Sequence, residues 1–174
     1  MFKIAIIGPE STGKSELSVA LAKHFQCDFV PEFAREYVEK LNRPYTYSDV
    51  CAIAQKQIEE QNSYLESVED KIVFFDTDLI ITKVWFEYCY QKLPGFVNQR
   101  IAENYFDVYL LCYPDLPWIP DAVREHGGDE RLFFYDWYKR EIELTGVPYT
   151  MINGIGEARI TNAIKAVNKL LECK

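Results

Sequence analysis

Residues Gly8-Pro9-Glu10-Ser11-Thr12-Gly13-Lys14-Ser15 satisfy the pattern G-x-x-x-x-G-K-[ST] in full. Each position has a chemical reason. Gly8 and Gly13 let the backbone turn and bring N–H groups close to phosphate oxygens. Glu10, Ser11 and Thr12 complete the loop that wraps the phosphates. A helix starting at about Lys14 adds the positive end of its dipole. Lys14 is the group expected to neutralise the β- and γ-phosphates, and the Ser15 hydroxyl is expected to reach Mg²⁺. The ligand this chemistry calls for is ATP with Mg²⁺. An apolar run, Lys3 to Ile7, stands directly before the loop, and a helical pattern from about Lys14 to Phe25 follows it. That strand–loop–helix setting is the one the pattern needs.

Three further segments carry chemistry-bearing residues. Ile72 to Phe75 is an apolar run that ends in Asp76-Thr77-Asp78. A carboxylate at a strand's carboxyl end, beside a phosphate loop, is placed to bind or orient Mg²⁺, so Asp76 takes the metal role. Asp78 is either the N-cap of a helix over 79–91 or a second carboxylate of the site. In Pro31-Glu32-Phe33-Ala34-Arg35-Glu36-Tyr37, Glu32 and Arg35 lie three apart and share a helical face. They can accept a hydroxyl proton and hold a hydroxyl or phosphate, or they can be an exposed helix start. Between Trp118 and Arg131, Arg124 and Arg131 straddle a Gly127-Gly128 pair. They suit a cover that closes over a transferring phosphoryl group, or a solvated helix face. His24 and His126 lack a metal-ligand partner at i+3 or i+4 and receive no role.

These residues need a scaffold. Apolar runs at Lys3–Ile7, Cys27–Val30, Ile72–Phe75, Val108–Leu111 and Pro148–Ile152 read as buried strands, because they lack polar alternation. Helical spacing runs from about Tyr47 to Glu69 and from about Glu157 to Glu172. Alternating strands and helices predict a three-layer α/β fold with a parallel sheet and right-handed crossovers. Residues 115–131, rich in proline at the start and glycine later, are expected to form a loop or mobile lid. The chain of 174 residues is expected to be a single domain.

Composition narrows the partners. Lys and Arg number 19 against 27 Asp and Glu, a net charge of −8, which argues against nucleic acid as a general partner. The five cysteines are odd in number and show no CxxC pair, so free thiols in a reducing cytoplasm are expected. No apolar stretch is long enough for a membrane span, and the N-terminus does not read as a signal peptide.

Four elements occur together in order: the phosphate loop, Pro31–Tyr37, Phe74–Asp78, and the Trp-x-x-Asp-x-x-Arg pattern of Trp118, Asp121 and Arg124. In this the chain resembles, over residues 2 to about 172, the ribosylnicotinamide kinase domain of the NadR-type NAD-biosynthesis proteins. The resemblance implies a P-loop NTPase fold with a five-stranded parallel sheet, helices on both faces and an arginine-bearing lid. It implies Glu32 and Arg35 as substrate-site residues and Asp76 as the metal or base residue, while Asp78 stays the candidate second carboxylate on the substrate side. Arg124 and Arg131 become lid arginines. The implied reaction moves the γ-phosphoryl of ATP to the 5′-hydroxyl of nicotinamide riboside. Tyr37, Tyr45, Tyr47, Trp85 and Trp118 are the aromatics available to stack on a planar base. Met1 stands two residues before Lys3, so the nucleotidyltransferase domain of the bifunctional proteins is expected to be absent and a separate adenylyltransferase to act on the product. Two alternatives stay open: a kinase for another nucleoside or nucleotide, and a regulatory ATPase without a small acceptor.

Overall fold

The computed structural model describes residues 1–67, 71–120 and 126–172. Five strands form one parallel sheet: β1 (Phe2–Ile7), β2 (Phe29–Val30), β3 (Ile72–Asp76), β4 (Val108–Cys112) and β5 (Tyr149–Ile152). Their order across the sheet is β2-β3-β1-β4-β5, and every neighbouring pair is parallel. The chain leaves β1 toward one edge, returns through β3, then crosses to β4. The carboxyl end of β1 therefore lies at a switch point, where open α/β sheets hold their ligands.

The helices are α1 (Lys14–Phe25), α2 (Phe33–Glu39), α3 (Tyr47–Ser67), α4 (Leu79–Tyr90), α5 (Gly95–Ala102), α6 (Glu130–Thr145) and α7 (Glu157–Glu172). Alternation along the strands sorts them into two layers. Ile4, Ile6, Phe74, Val108, Leu110 and Cys112 face Leu17 and Leu21 of α1 and Ala163 and Val167 of α7. Ala5, Ile7, Val73, Phe75 and Leu111 face Ile80 and Val84 of α4 and Phe134, Tyr138 and Ile142 of α6. A smaller cluster joins Val50 and Ala54 of α3 to Phe86 of α4 and Val97 of α5. The expected three-layer fold is the observed one.

Element ends differ from the sequence reading in instructive ways. β2 was expected from Cys27 but begins at Phe29. Gln26 closes α1 in the left-handed conformation (φ 53°), and the Cys27 N–H is used on the Ala22 carbonyl, so the chain extends only afterward. β3 runs one residue further than expected, to Asp76, whose register partner is Ile6. The helix expected to reach Glu69 is α3, seen to Ser67, and residues 68–70 lie outside the described ones. Two helices, α5 and α6, were not anticipated. α6 takes the last two residues of the expected lid, Glu130 and Arg131.

Candidate active site

The phosphate loop joins β1 to α1 across the sheet's carboxyl edge. Gly8 has φ 154°, and a Cβ there would lie 2.7 Å from the Cys112 carbonyl oxygen, so no other residue fits. Gly13 is the N-cap of α1 in the left-handed conformation (φ 72°). Lys14 Nζ donates to the Gly8 and Pro9 carbonyls at 2.9 and 3.0 Å. The Thr12 hydroxyl donates to the Pro9 carbonyl at 2.8 Å, closing the turn from inside. The lysine is thus folded back over the loop that its charge would serve.

Beside the loop, Asp76 ends β3 and is 3% exposed. The Ser15 hydroxyl hydrogen-bonds its carboxylate, while Asp76 Oδ1 is buried without a hydrogen-bond partner. Burial pushes the Asp76 carboxyl up, against the Ser15 bond and the charges of Lys14 and Arg35. A hydroxyl and an incompletely satisfied carboxylate oxygen next to a phosphate loop fit Mg²⁺, a hard cation that takes few protein oxygens and leaves the rest to phosphate and water. Among the described residues no group of three or more His, Cys, Asp or Glu side chains is placed to hold a metal ion.

Glu32 is the N-cap residue of α2 in extended conformation, yet its side chain makes no cap bond. Burial raises its carboxyl above the usual range; Lys14 and Arg35 pull it down, and Asp76 and Glu10 push it up. Arg35, one turn along α2, pairs with Glu39 at 3.3 Å. Asp78 caps α4 by accepting the Ile80 N–H at 3.4 Å, and accepts the Tyr109 hydroxyl at 2.9 Å. It is buried and is not part of the cavity wall.

A cavity of about 500 Å³ joins the phosphate loop to Glu32 and Arg35, and Asp76, like Asp78, is not part of its wall. Its floor is the whole phosphate loop, Gly8 to Ser15. One side carries Glu32, Arg35 and Val38 of the α2 segment. The far end is Tyr45, Val50, Ile53 and Gln57 against Ile81, Thr82 and Trp85, and His126, Phe134 and Tyr138 close another wall. That volume suits a small organic ligand. Of the five aromatics considered for stacking, Tyr45 and Trp85 line the cavity, with ring centroids 6.1 Å apart. Tyr37 instead donates to Asp49 at 3.0 Å, and Tyr47 packs on Phe86 and Tyr90. Trp118 lies against Gly127.

The cover is tied to the loop. Ser11 Oγ accepts the Ile119 N–H at 3.1 Å and donates to the Ile119 carbonyl at 3.3 Å, and Glu10 accepts the His126 N–H at 3.0 Å. Arg131 donates to the Leu116 carbonyl at 2.8 Å and does not line the cavity. It holds the cover's own backbone in this arrangement. Arg124 lies outside the described residues. Sequence reasoning missed His126 and Gln57. The His126 ring packs edge-on to Trp85 at 5.2 Å, its Nδ1 meets Glu130 at 3.0 Å, and its Nε2 is buried without a partner. A search for metal-ligand spacing could not find a histidine placed by ring packing.

Comparison with known proteins bears on this geometry. Residues 3–159 match the family described as AAA domain. The chain is 29% identical over 131 residues to the trifunctional NAD biosynthesis/regulator protein NadR of Salmonella typhimurium (strain LT2), a match covering 72% of this chain and 31% of that protein. It superposes on a NadR protein in complex with NAD and AMP-PNP with TM-score 0.76 and 26% identity, and on one in complex with NR with TM-score 0.76 and 24% identity. Each match covers 97% of this chain and 49% of the other. The chain thus spans about a third of the curated relative and half of the crystallised ones. The loop and the sheet together are those of a P-loop phosphotransferase.

Proposed function

The chain belongs to the AAA domain family, and from that premise we propose that it is an ATP-dependent kinase whose acceptor is the 5′-hydroxyl of nicotinamide riboside. One observation carries the reading: a single cavity joins the phosphate loop, a raised carboxylate and two aromatic rings, Tyr45 and Trp85. The names of the NadR relatives, one crystallised with NR and one with an ATP analogue, support the same acceptor and donor. A separate adenylyltransferase acting on the product belongs to this proposal.

In this reading the loop N–H groups and Lys14 hold the β- and γ-phosphates, which draws Lys14 off the Gly8 and Pro9 carbonyls. Ser15 and Asp76 would hold Mg²⁺, which would supply charge neutralisation on the phosphate oxygens. Glu32 accepts the hydroxyl proton as the oxygen attacks. A carboxylate raised by burial is a better base than an ordinary one. Asp76 is already used by Ser15, which favours Glu32 for the proton. Arg35 positions the ribose side, and the Tyr45–Trp85 pair offers an aromatic surface to the base. Arg131 reaches the phosphoryl group only by leaving Leu116, so its lid role requires the cover to move. Arg124 is proposed as the second lid arginine and Asp78 as a support behind the site.

The test is ADP release with Mg-ATP against a panel of nucleosides that includes nicotinamide riboside. Selective stimulation by nicotinamide riboside is expected. Selective stimulation by a different nucleoside would move the acceptor, and none at all would end the kinase reading in favour of a nucleotide-binding ATPase.

A further inference from the structure

The far end of the cavity is built by two helices. Val50, Ile53 and Gln57 recur at i, i+3 and i+7 on α3, so they form one stripe facing Ile81 and Trp85 of α4. Gln57 breaks the apolar pattern of that stripe. It is 3% exposed, and its Oε1 is buried with no hydrogen-bond partner. A leucine would fill the position with equal helix propensity and no unsatisfied atom. Gln57 nonetheless lines the cavity, and a buried amide atom without a partner beside a cavity is one that a ligand group can complete once the side chain turns toward it.

One turn further along α3 stands a control within the same helix. Gln61 is 1% exposed and leaves its Nε2 without a partner, yet it does not line the cavity. Two amides of the same type differ in that only Gln57 can meet a ligand.

We propose that Gln57 reads the base of the acceptor by pairing its amide with a neutral carboxamide edge, and so sets acceptor preference. This rests on the nucleoside-kinase reading and deepens it. A side-chain amide offers an acceptor oxygen and a donor nitrogen, so its complement must offer both. A carboxamide does so whichever way the glutamine is turned. A carboxylate has no donor to give, and it would face the Gln57 oxygen in a cavity that already holds Glu32. The surrounding faces, Tyr45 and Trp85, accept any planar ring and cannot make this distinction.

The experiment uses the full chain with two acceptors, nicotinamide riboside and the same riboside carrying a carboxylate in place of the carboxamide. Values of kcat/KM are compared for wild type, Gln57→Leu and Gln61→Leu, with KM for ATP measured alongside. Gln57→Leu is expected to lower kcat/KM for the carboxamide riboside by about tenfold or more, chiefly through KM. It should narrow the preference over the carboxylate riboside and leave KM for ATP within about twofold. Gln61→Leu should keep the wild-type preference. If Gln57→Leu does not fold, Gln57→Met removes the amide with a similar shape and is read the same way. A folded variant with unchanged preference overturns the proposal while leaving the kinase reading standing. Wild-type protein that phosphorylates neither riboside overturns the nicotinamide riboside reading, and this proposal with it.

Discussion

Lys14 and Glu32 line one cavity, and their charges answer different needs. Lys14→Ala removes the cation that the loop presents to phosphate, and phosphotransfer should fall by about a thousandfold or more in a steady-state assay. Glu32 makes a stability argument as well as a catalytic one. Its carboxyl is raised, so the folded protein binds that proton more tightly than the unfolded chain does. The linked stability is present at low pH and is lost as pH rises from the unfolded value through the raised one. Glu32→Gln should therefore raise the melting temperature at neutral pH while lowering kcat. It should also remove the acid limb of the kcat profile, because that limb reports protonation of the base. A variant that loses activity but keeps the limb would assign the proton to another group, with Asp76 next in line.

At the scale of elements, the site depends on how α2, α4 and the cover are held. Asp49, in the first turn of α3, is the anchor for α2. It accepts the Tyr37 hydroxyl from α2, both Arg43 nitrogens at 2.7 and 2.9 Å, and the Thr46 N–H and hydroxyl. The Arg43 guanidinium and the Thr46 hydroxyl hold its carboxyl far below the usual range, so this support is present at neutral pH and fades only in strong acid. Asp49→Asn should lower the melting temperature and raise KM for the nucleoside more than KM for ATP, since α2 carries Glu32 and Arg35. Asp78 does the equivalent for α4. Tyr109→Phe takes one donor from its buried carboxylate and should cost about 1–3 kcal/mol in denaturant unfolding. The cover is rooted by Arg159 of α7, which pairs with Asp115 and donates to the Gly154 carbonyl at 2.9 Å. Ser11 and Glu10 then tie it to the phosphate loop.

Across the whole molecule, what was legible in the sequence followed the distance over which each signal acts. The phosphate loop, β1 and α1 were legible because one short segment contains the motif, its strand and its helix. The layering was legible because β1 apart from Lys3, β3 as far as Phe75, and β4 are unbroken runs of apolar and aromatic residues, as strands buried on both faces tend to be. α6 was not. Phe134 and Tyr138 are buried while Leu132 and Phe133 are more than 40% exposed, so apolar residues surround the helix and no single face announces it. Gln57 and His126 were hidden for a different reason. Their meaning comes from the convergence of α3, α4 and the cover, which no local pattern records. Asp78 allowed two readings from spacing, and the structure shows its carboxylate capping α4.

The same whole-molecule view bears on nucleotide binding. Since the cover touches the phosphate loop through Ser11 and Glu10, an ATP analogue should raise the melting temperature by mass action and change amide exchange at Ile119 and His126. Exchange changes confined to 8–15 would show that the cover does not respond to what the loop holds.

The most direct test of the central claim is to follow the phosphoryl group itself. Protein is incubated with Mg-ATP carrying ¹⁸O in its γ-phosphoryl group and with nicotinamide riboside, and the products are identified by mass and by NMR. The account predicts nicotinamide mononucleotide labelled at the 5′-phosphate, formed by wild type and not by Lys14→Ala. Label recovered only as inorganic phosphate, at the same rate with and without the riboside, would contradict it.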